Sequence, residues 1–351
     1  MWYTGIFKGE TSDQTSPRAN TLLDDADDIQ KQLENEAKDR LKYGRPKTIW
    51  VFHLPTQYPF LLRTDPIRTY RQDLSHNGFR NIFHKKHKQP PVKANLTGTS
   101  PDNWEYKDQV NWSIAFPSCG GRSQSPVNLP ARGLVNSKAK KLLFINYDTR
   151  PTSMSLQNDG KRVILLGEWK KQNRPLVYGG AAFNRRYVFH SLVLHWPSEH
   201  TISGLQYPIE SQVLHISAEY RDFKDAVNRS SSDPLAFLGI VNIYMFSNET
   251  HPGVAELLNT SINTPSEKTK LSPKPLSFFS PPFQKYVVYH GSLTTPPCTE
   301  SVLWIVRGKS LPVNRDEFNV PYGLCNAWGQ LDVKPFRLVN PLNDRGVYLF
   351  G

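Results

Sequence analysis

Four histidines fall between Tyr187 and His215: His190, His195, His200 and His215. Neutral imidazole is the commonest protein ligand for zinc, and a catalytic zinc takes three protein ligands, so this density raises a zinc site. The spacing opposes it. Two runs rich in Val, Leu, Phe and Ile flank a polar turn, the pattern of neighbouring strands. Side chains alternate faces along a strand, so Val193 and His195 share one face and His190 points to the other. On the second run Glu210, Gln212 and Leu214 share a face, with His215 opposite. Without a bulge, only His195 is expected to meet the inward side chains of the second strand.

The elements around this pair read as strands too. Lys141–Ile145 and Arg162–Leu166 are short apolar runs separated by turn residues such as Asn158-Asp-Gly160, and Leu235–Tyr244 reads as a buried strand. A length of 351 residues with 38% hydrophobic and 12% aromatic content supports a sizeable core. No run approaches the 18 or more apolar residues of a membrane span; Thr48–Leu62 comes nearest and is broken by His53, Pro55 and Pro59.

From Asn103 onward, five ordered motifs resemble the alpha-type carbonic anhydrases. They are Cys119-Gly-Gly followed by Gln124-Ser-Pro-Val-Asn128, then His195-Trp196 with Ser198-Glu-His-Thr201, then Glu210-x-Gln212, then Tyr289-His-Gly-Ser-Leu-Thr-Thr-Pro-Pro-Cys298 with Trp304, and the closing Asn340–Val347. The resemblance covers residues 101–351. It implies a mainly β fold: a large, twisted, mostly antiparallel sheet with short peripheral helices. The family's zinc pattern is His-x-His-Trp and Glu-x-His, so the ligand positions here hold Val193, His195 and Gln212. Two of three imidazoles are absent. The resemblance pairs Thr294 with Glu199 as the gate beside a zinc-bound hydroxide and makes Leu293 and Trp304 the apolar wall of the carbon dioxide pocket. Lys161 stands at the proton-shuttle position, where a side chain protonated near neutral pH is a poor shuttle. The Trp196–Glu199 loop is shorter than the family's.

Cys119 and Cys298 match two positions that form a disulfide in secreted and membrane-anchored members, which implies an oxidising compartment. Cys325 is left over and is expected to be buried and free. Sequons at Asn95, Asn111, Asn228, Asn248 and Asn259 agree with an extracellular, secreted glycoprotein. The start, Met1-Trp-Tyr-Thr-Gly-Ile-Phe-Lys8, lacks the charged opening and apolar run of a signal peptide.

Residues 1–100 read as an appendage. Residues 1–39 carry 4 Lys/Arg against 9 Asp/Glu, and residues 40–100 carry 12 against 2. Leu22, Ala26, Ile29, Leu33, Ala37 and Leu41 form one helical stripe, and a basic, disordered segment with the cluster His84-Lys-Lys-His-Lys88 follows.

Loss of ligands most resembles the catalytically silent carbonic anhydrase-related proteins. The expected function is therefore an extracellular binding module with no cofactor, whose partner is a protein or a sulfated polyanion, with no nucleic acid involved. Two alternatives stand beside it. One is an active zinc enzyme hydrating carbon dioxide with an altered ligand set, recruiting for instance His190 through a bulge. The other is a polyanion-binding protein whose basic segment does the work. Glu199, His200, Glu210, Tyr289 and Thr294 are expected to be buried polar groups that satisfy one another.

Overall fold

The computed structural model describes residues 104–132, 134–137, 140–159, 161–260, 268–317 and 336–351. The helical stripe, the basic cluster, Asn95 and Cys325 lie outside the described residues.

A single large sheet organises the described chain. Along it run the strands Lys268–Leu271, Ser153–Asn158, Val163–Glu168, Tyr187–His195, Ile209–Ser217, Phe237–Ser247, Val302–Arg307, Tyr286–Gly291, Tyr348–Phe350 and Val135–Ser137, in that order. Most neighbours are antiparallel, and Phe237–Ser247 is parallel to Val302–Arg307. The expected runs at Lys141–Ile145, Arg162–Leu166 and Leu235–Tyr244 become the strands Leu142–Ile145, Val163–Glu168 and Phe237–Ser247. Among the described residues the helices are short and peripheral, the longest being Pro252–Asn259.

The centre of the sheet is covered on both faces, which is why its strands read as nearly unbroken apolar runs. Along Phe237–Ser247, Leu238, Ile240 and Tyr244 enter one buried cluster with Leu165, Leu192, Leu194 and Val213. Phe237, Val241 and Ile243 enter the other with Tyr289, Leu293, Trp304 and Val306. Gly239 sits between them because a Cβ there would lie 2.3 Å from the Trp304 ring. The tryptophan ring thus occupies the space a side chain at Gly239 would take on the neighbouring strand.

The register of the two histidine-bearing strands is Glu210 opposite His195 and Gln212 opposite Val193. A bulge interrupts it between Leu214 and His215: Leu214 faces Ser191 and His215 faces Phe189, leaving His190 as the extra residue. That residue switches the alternation, so Tyr187 and Phe189 join Leu192 and Leu194 in one cluster although their numbers differ in parity. The expectation that His190 points away from the Val193 face is corrected by this bulge. Its ring stacks on Phe223 at 5.1 Å, and Phe223 packs on the same cluster as Leu214.

The stretch between these strands is more than a polar turn. Thr201–Ile202 and Leu205–Gln206 form a small hairpin whose two turn residues, Ser203 (φ 49°) and Gly204 (φ 83°), are both left-handed. Asn128–Leu129 adds to it as a parallel third strand. Asn128 Oδ1 accepts from Thr201 Oγ1 at 2.9 Å and from the Gly204 amide at 2.8 Å, tying the Gln124–Asn128 motif to Ser198–Thr201.

Candidate functional site

A cavity of about 40 Å³ opens over the pair Val193 and Gln212. Arg162, His195, Leu214, Leu293, Thr294, Thr295 and Trp304 complete its lining. Strand alternation brings Val193 and His195 to it from one side and Gln212 and Leu214 from the next strand. The turn after Gly291 supplies Leu293, Thr294 and Thr295.

Gln212 is held by two carboxylates. Its Nε2 donates to Glu199 Oε2 at 2.6 Å and to Glu210 Oε1 at 2.8 Å, while its Oε1 accepts from Thr294 Oγ1 at 3.4 Å. Glu199 and Glu210 are both fully buried. Glu199 also accepts from the Arg337 backbone amide at 2.7 Å, and His195 Nδ1 lies 3.5 Å from its Oε1. Glu210 accepts from the His200 backbone amide and lies 2.8 Å from its Nδ1. Burial pushes the Glu210 carboxyl up, and the His200 charge and hydrogen bond, with His195 and Gln212, outweigh it and hold the group below the usual carboxylate range.

Behind this lies a chain of hydroxyls. His200 Nε2 meets the Tyr289 hydroxyl at 2.6 Å, and that hydroxyl donates to Ser125 Oγ at 2.9 Å. Ser125 Oγ in turn accepts from the Ser292 amide. Burial drives the Tyr289 phenol up, so it stays protonated. Each buried group here has a partner, which is what a buried polar cluster requires to avoid an unpaired-group penalty.

A model of the eukaryotic-type carbonic anhydrase family matches residues 107–350. The chain belongs to that family. It is similar to carbonic anhydrase 6 of Homo sapiens, 28% identical over 263 residues that cover 70% of this chain and 82% of that protein. It is also similar to carbonic anhydrase 6 of Canis lupus familiaris, 30% identical over 70% of this chain and 79% of that protein. Carbonic anhydrase 15 of Mus musculus is 29% identical over 61% of this chain and 71% of that protein.

Val193, His195 and Gln212, the positions that the sequence resemblance assigns to zinc ligands, all line one cavity, with Val193 opposite Gln212 across the two strands. Leu293 and Trp304 form its apolar wall. Between Thr294 and Glu199 lies the Gln212 amide, accepting from the threonine hydroxyl at Oε1 and donating to the carboxylate from Nε2. Lys161 carries its Nζ 4.7 Å over the buried Trp104 ring. His215 packs in the opposite cluster, with ring nitrogens 2.7 Å from the Tyr147 hydroxyl and 3.0 Å from the Val213 carbonyl oxygen. Among the described residues no group of three or more His, Cys, Asp or Glu is arranged to hold a metal ion.

Two contributors are new relative to the sequence reading. Arg162 enters the cavity at its rim, its guanidinium bound to Asp159 at 2.7 and 2.9 Å and donating to Thr295 Oγ1 at 3.3 Å. Its signal was its place directly before an alternating strand, where its side chain follows the face of Ile164. Arg337 supplies a backbone amide to Glu199 and a guanidinium donor to the Ser125 carbonyl at 2.8 Å. Nothing in local sequence marks that contact.

The disulfide joins Cys119 and Cys298 with Cα atoms 4.8 Å apart. It is packed with Trp104, Tyr106 and Trp112. The sequon asparagines Asn111, Asn228, Asn248 and Asn259 are all exposed. No helix among the described residues is long and apolar enough to cross a membrane.

Proposed function

We propose that this carbonic anhydrase-family protein binds without catalysing, holds no zinc, and works outside the cell. The commitment of Gln212 carries this reading. A catalytic zinc needs three protein donors converging on one point. Here Val193 offers none, and the one amide that could replace a histidine has its oxygen turned to Thr294 and its nitrogen fixed between two carboxylates. An amide oxygen is in any case a weak ligand for zinc. The residues present therefore do not fit the ion. The altered-ligand enzyme loses its named candidate as well, because His190 is stacked on Phe223 and is not among the residues lining the cavity.

The buried disulfide and the four exposed sequon asparagines support an extracellular setting. The partner class remains an extracellular protein or a sulfated polyanion. Two measurements test the proposal. Elemental analysis of the purified protein is expected to give well below one zinc per chain, and stopped-flow hydration of carbon dioxide is expected to match buffer alone. Stoichiometric zinc with hydration above buffer would overturn it. Salt-sensitive retention on heparin, lost on removal of residues 84–88, would identify the polyanion as partner.

A further inference from the structure

We infer that the cavity over Gln212 is a metal-independent site for a short-chain monocarboxylate, with the carboxylate at Arg162 and Thr295 and the alkyl tail against Val193, Leu214, Leu293 and Trp304. This rests on the reading of the site as free of zinc.

The lining is sided. Leu293 and Trp304 are buried, whereas the Arg162 side chain is 27% exposed and marks the rim. Of the five guanidinium N–H groups, Nε and Nη2 bind Asp159 and Nη1 binds Thr295. Asp159 thus fixes the plane of the guanidinium and leaves donors on Nη1 and Nη2. Thr295 Oγ1 accepts from Arg162, so its own proton is available to a ligand oxygen. The cavity-lining Arg162 and Thr295 thus keep donors that the Asp159 and Thr295 contacts do not take up, and an anionic acceptor is what these donors fit.

The interior sets the rest of the ligand. Gln212 presents its carbonyl oxygen on the Thr294 side, which repels a carboxylate and keeps the head at the rim. About 40 Å³ is room for a few water-sized groups, enough for an ethyl tail and too little for an aromatic ring. Bicarbonate fits poorly, because its third oxygen would face Leu214, Leu293 or Trp304 without a partner.

The test uses full-length protein, analysed for zinc, dialysed against EDTA and titrated calorimetrically with propionate, acetate and bicarbonate. Propionate is expected to bind roughly fourfold more tightly than acetate, the value of one buried methylene, and more tightly than bicarbonate. Arg162→Met should weaken propionate about ten- to a hundredfold, as loss of charge-assisted hydrogen bonds does. Because that change also frees Asp159, Thr295→Val is the second variant, with a loss of about three- to tenfold. A zinc-poor protein that ignores propionate, or that binds it equally in both variants, would overturn the carboxylate site alone. Stoichiometric zinc before dialysis would instead overturn the metal-free reading beneath it.

Discussion

Replacing Gln212 with leucine tests the central clamp. The change keeps the side-chain volume and removes both N–H donors, at 2.6 and 2.8 Å, from two buried carboxylates. A hydrogen bond to a charged group contributes about 1.5–3 kcal/mol, so the pair amounts to roughly 3–6 kcal/mol at neutral pH. Glu199 would keep the Arg337 amide, and Glu210 would keep both nitrogen contacts from His200, which places the loss toward the lower end of that range. The assay is a denaturant-unfolding cycle of wild type, Gln212→Leu, Glu199→Gln and the double variant. If Gln212 stabilises Glu199 as a charged partner, the cycle gives a coupling of about 1.5–3 kcal/mol. A coupling below about 0.5 kcal/mol, the usual scatter for independent sites, would refute the clamp and with it the account of why Gln212 is a poor ligand.

Three further outcomes follow from the same geometry. The double variant Val193→His, Gln212→His should bind zinc tightly, because the cross-strand pair and His195 then surround one cavity with Glu210 placed to orient the new ring; each single variant should bind at least about a hundredfold more weakly, and a zinc titration decides it. Reducing the Cys119–Cys298 bridge, which spans 179 residues, should cost roughly 5 kcal/mol in the loop-entropy account and lower the melting temperature; an unchanged melt would contradict it. Burial lowers His190 and His215 to a pKa of about 4. The unfolded chain then binds more protons between about pH 6.5 and 4, so stability is full above that window and falls through it as the solution is acidified, by on the order of 3 kcal/mol for His215. The variant His215→Gln should flatten that slope, as read from unfolding at stepped pH.

Much of the site was legible because strand alternation is a strict rule. Counting puts Val193 with His195 on one strand face and Gln212 with Leu214 on another, the family resemblance joins Val193, His195 and Gln212 in one site, and all four line one cavity. That His200, Glu210 and Tyr289 satisfy one another was equally readable, since charged and polar residues inside apolar runs need partners, whereas Glu199 takes its donors from Gln212 and Arg337. His190 was misplaced for a physical reason: a bulge adds one residue and inverts the count before it, and no local residue announces it. The Thr201–Gln206 hairpin was hidden inside a stretch read as a turn, although Ser203-Gly204 carried its signal. Arg162 and Arg337 escaped because one depends on a rim geometry and the other on chain returning from 138 residues away to Glu199.

That return has a consequence for how the molecule can be made. Ser125 meets the Arg337 guanidinium across 212 positions, Gln124 meets Glu300 across 176, and Glu199 meets the Arg337 amide across 138. Contacts this distant cannot form until both partners have emerged, and closing such long loops slows folding. A growing chain that has not yet reached Arg337 carries Glu199 with that donor missing. The site is thus among the last parts of the domain to close during synthesis, and fragments that stop short of Arg337 are expected to expose a buried carboxylate to the cell's quality control rather than present a smaller working domain.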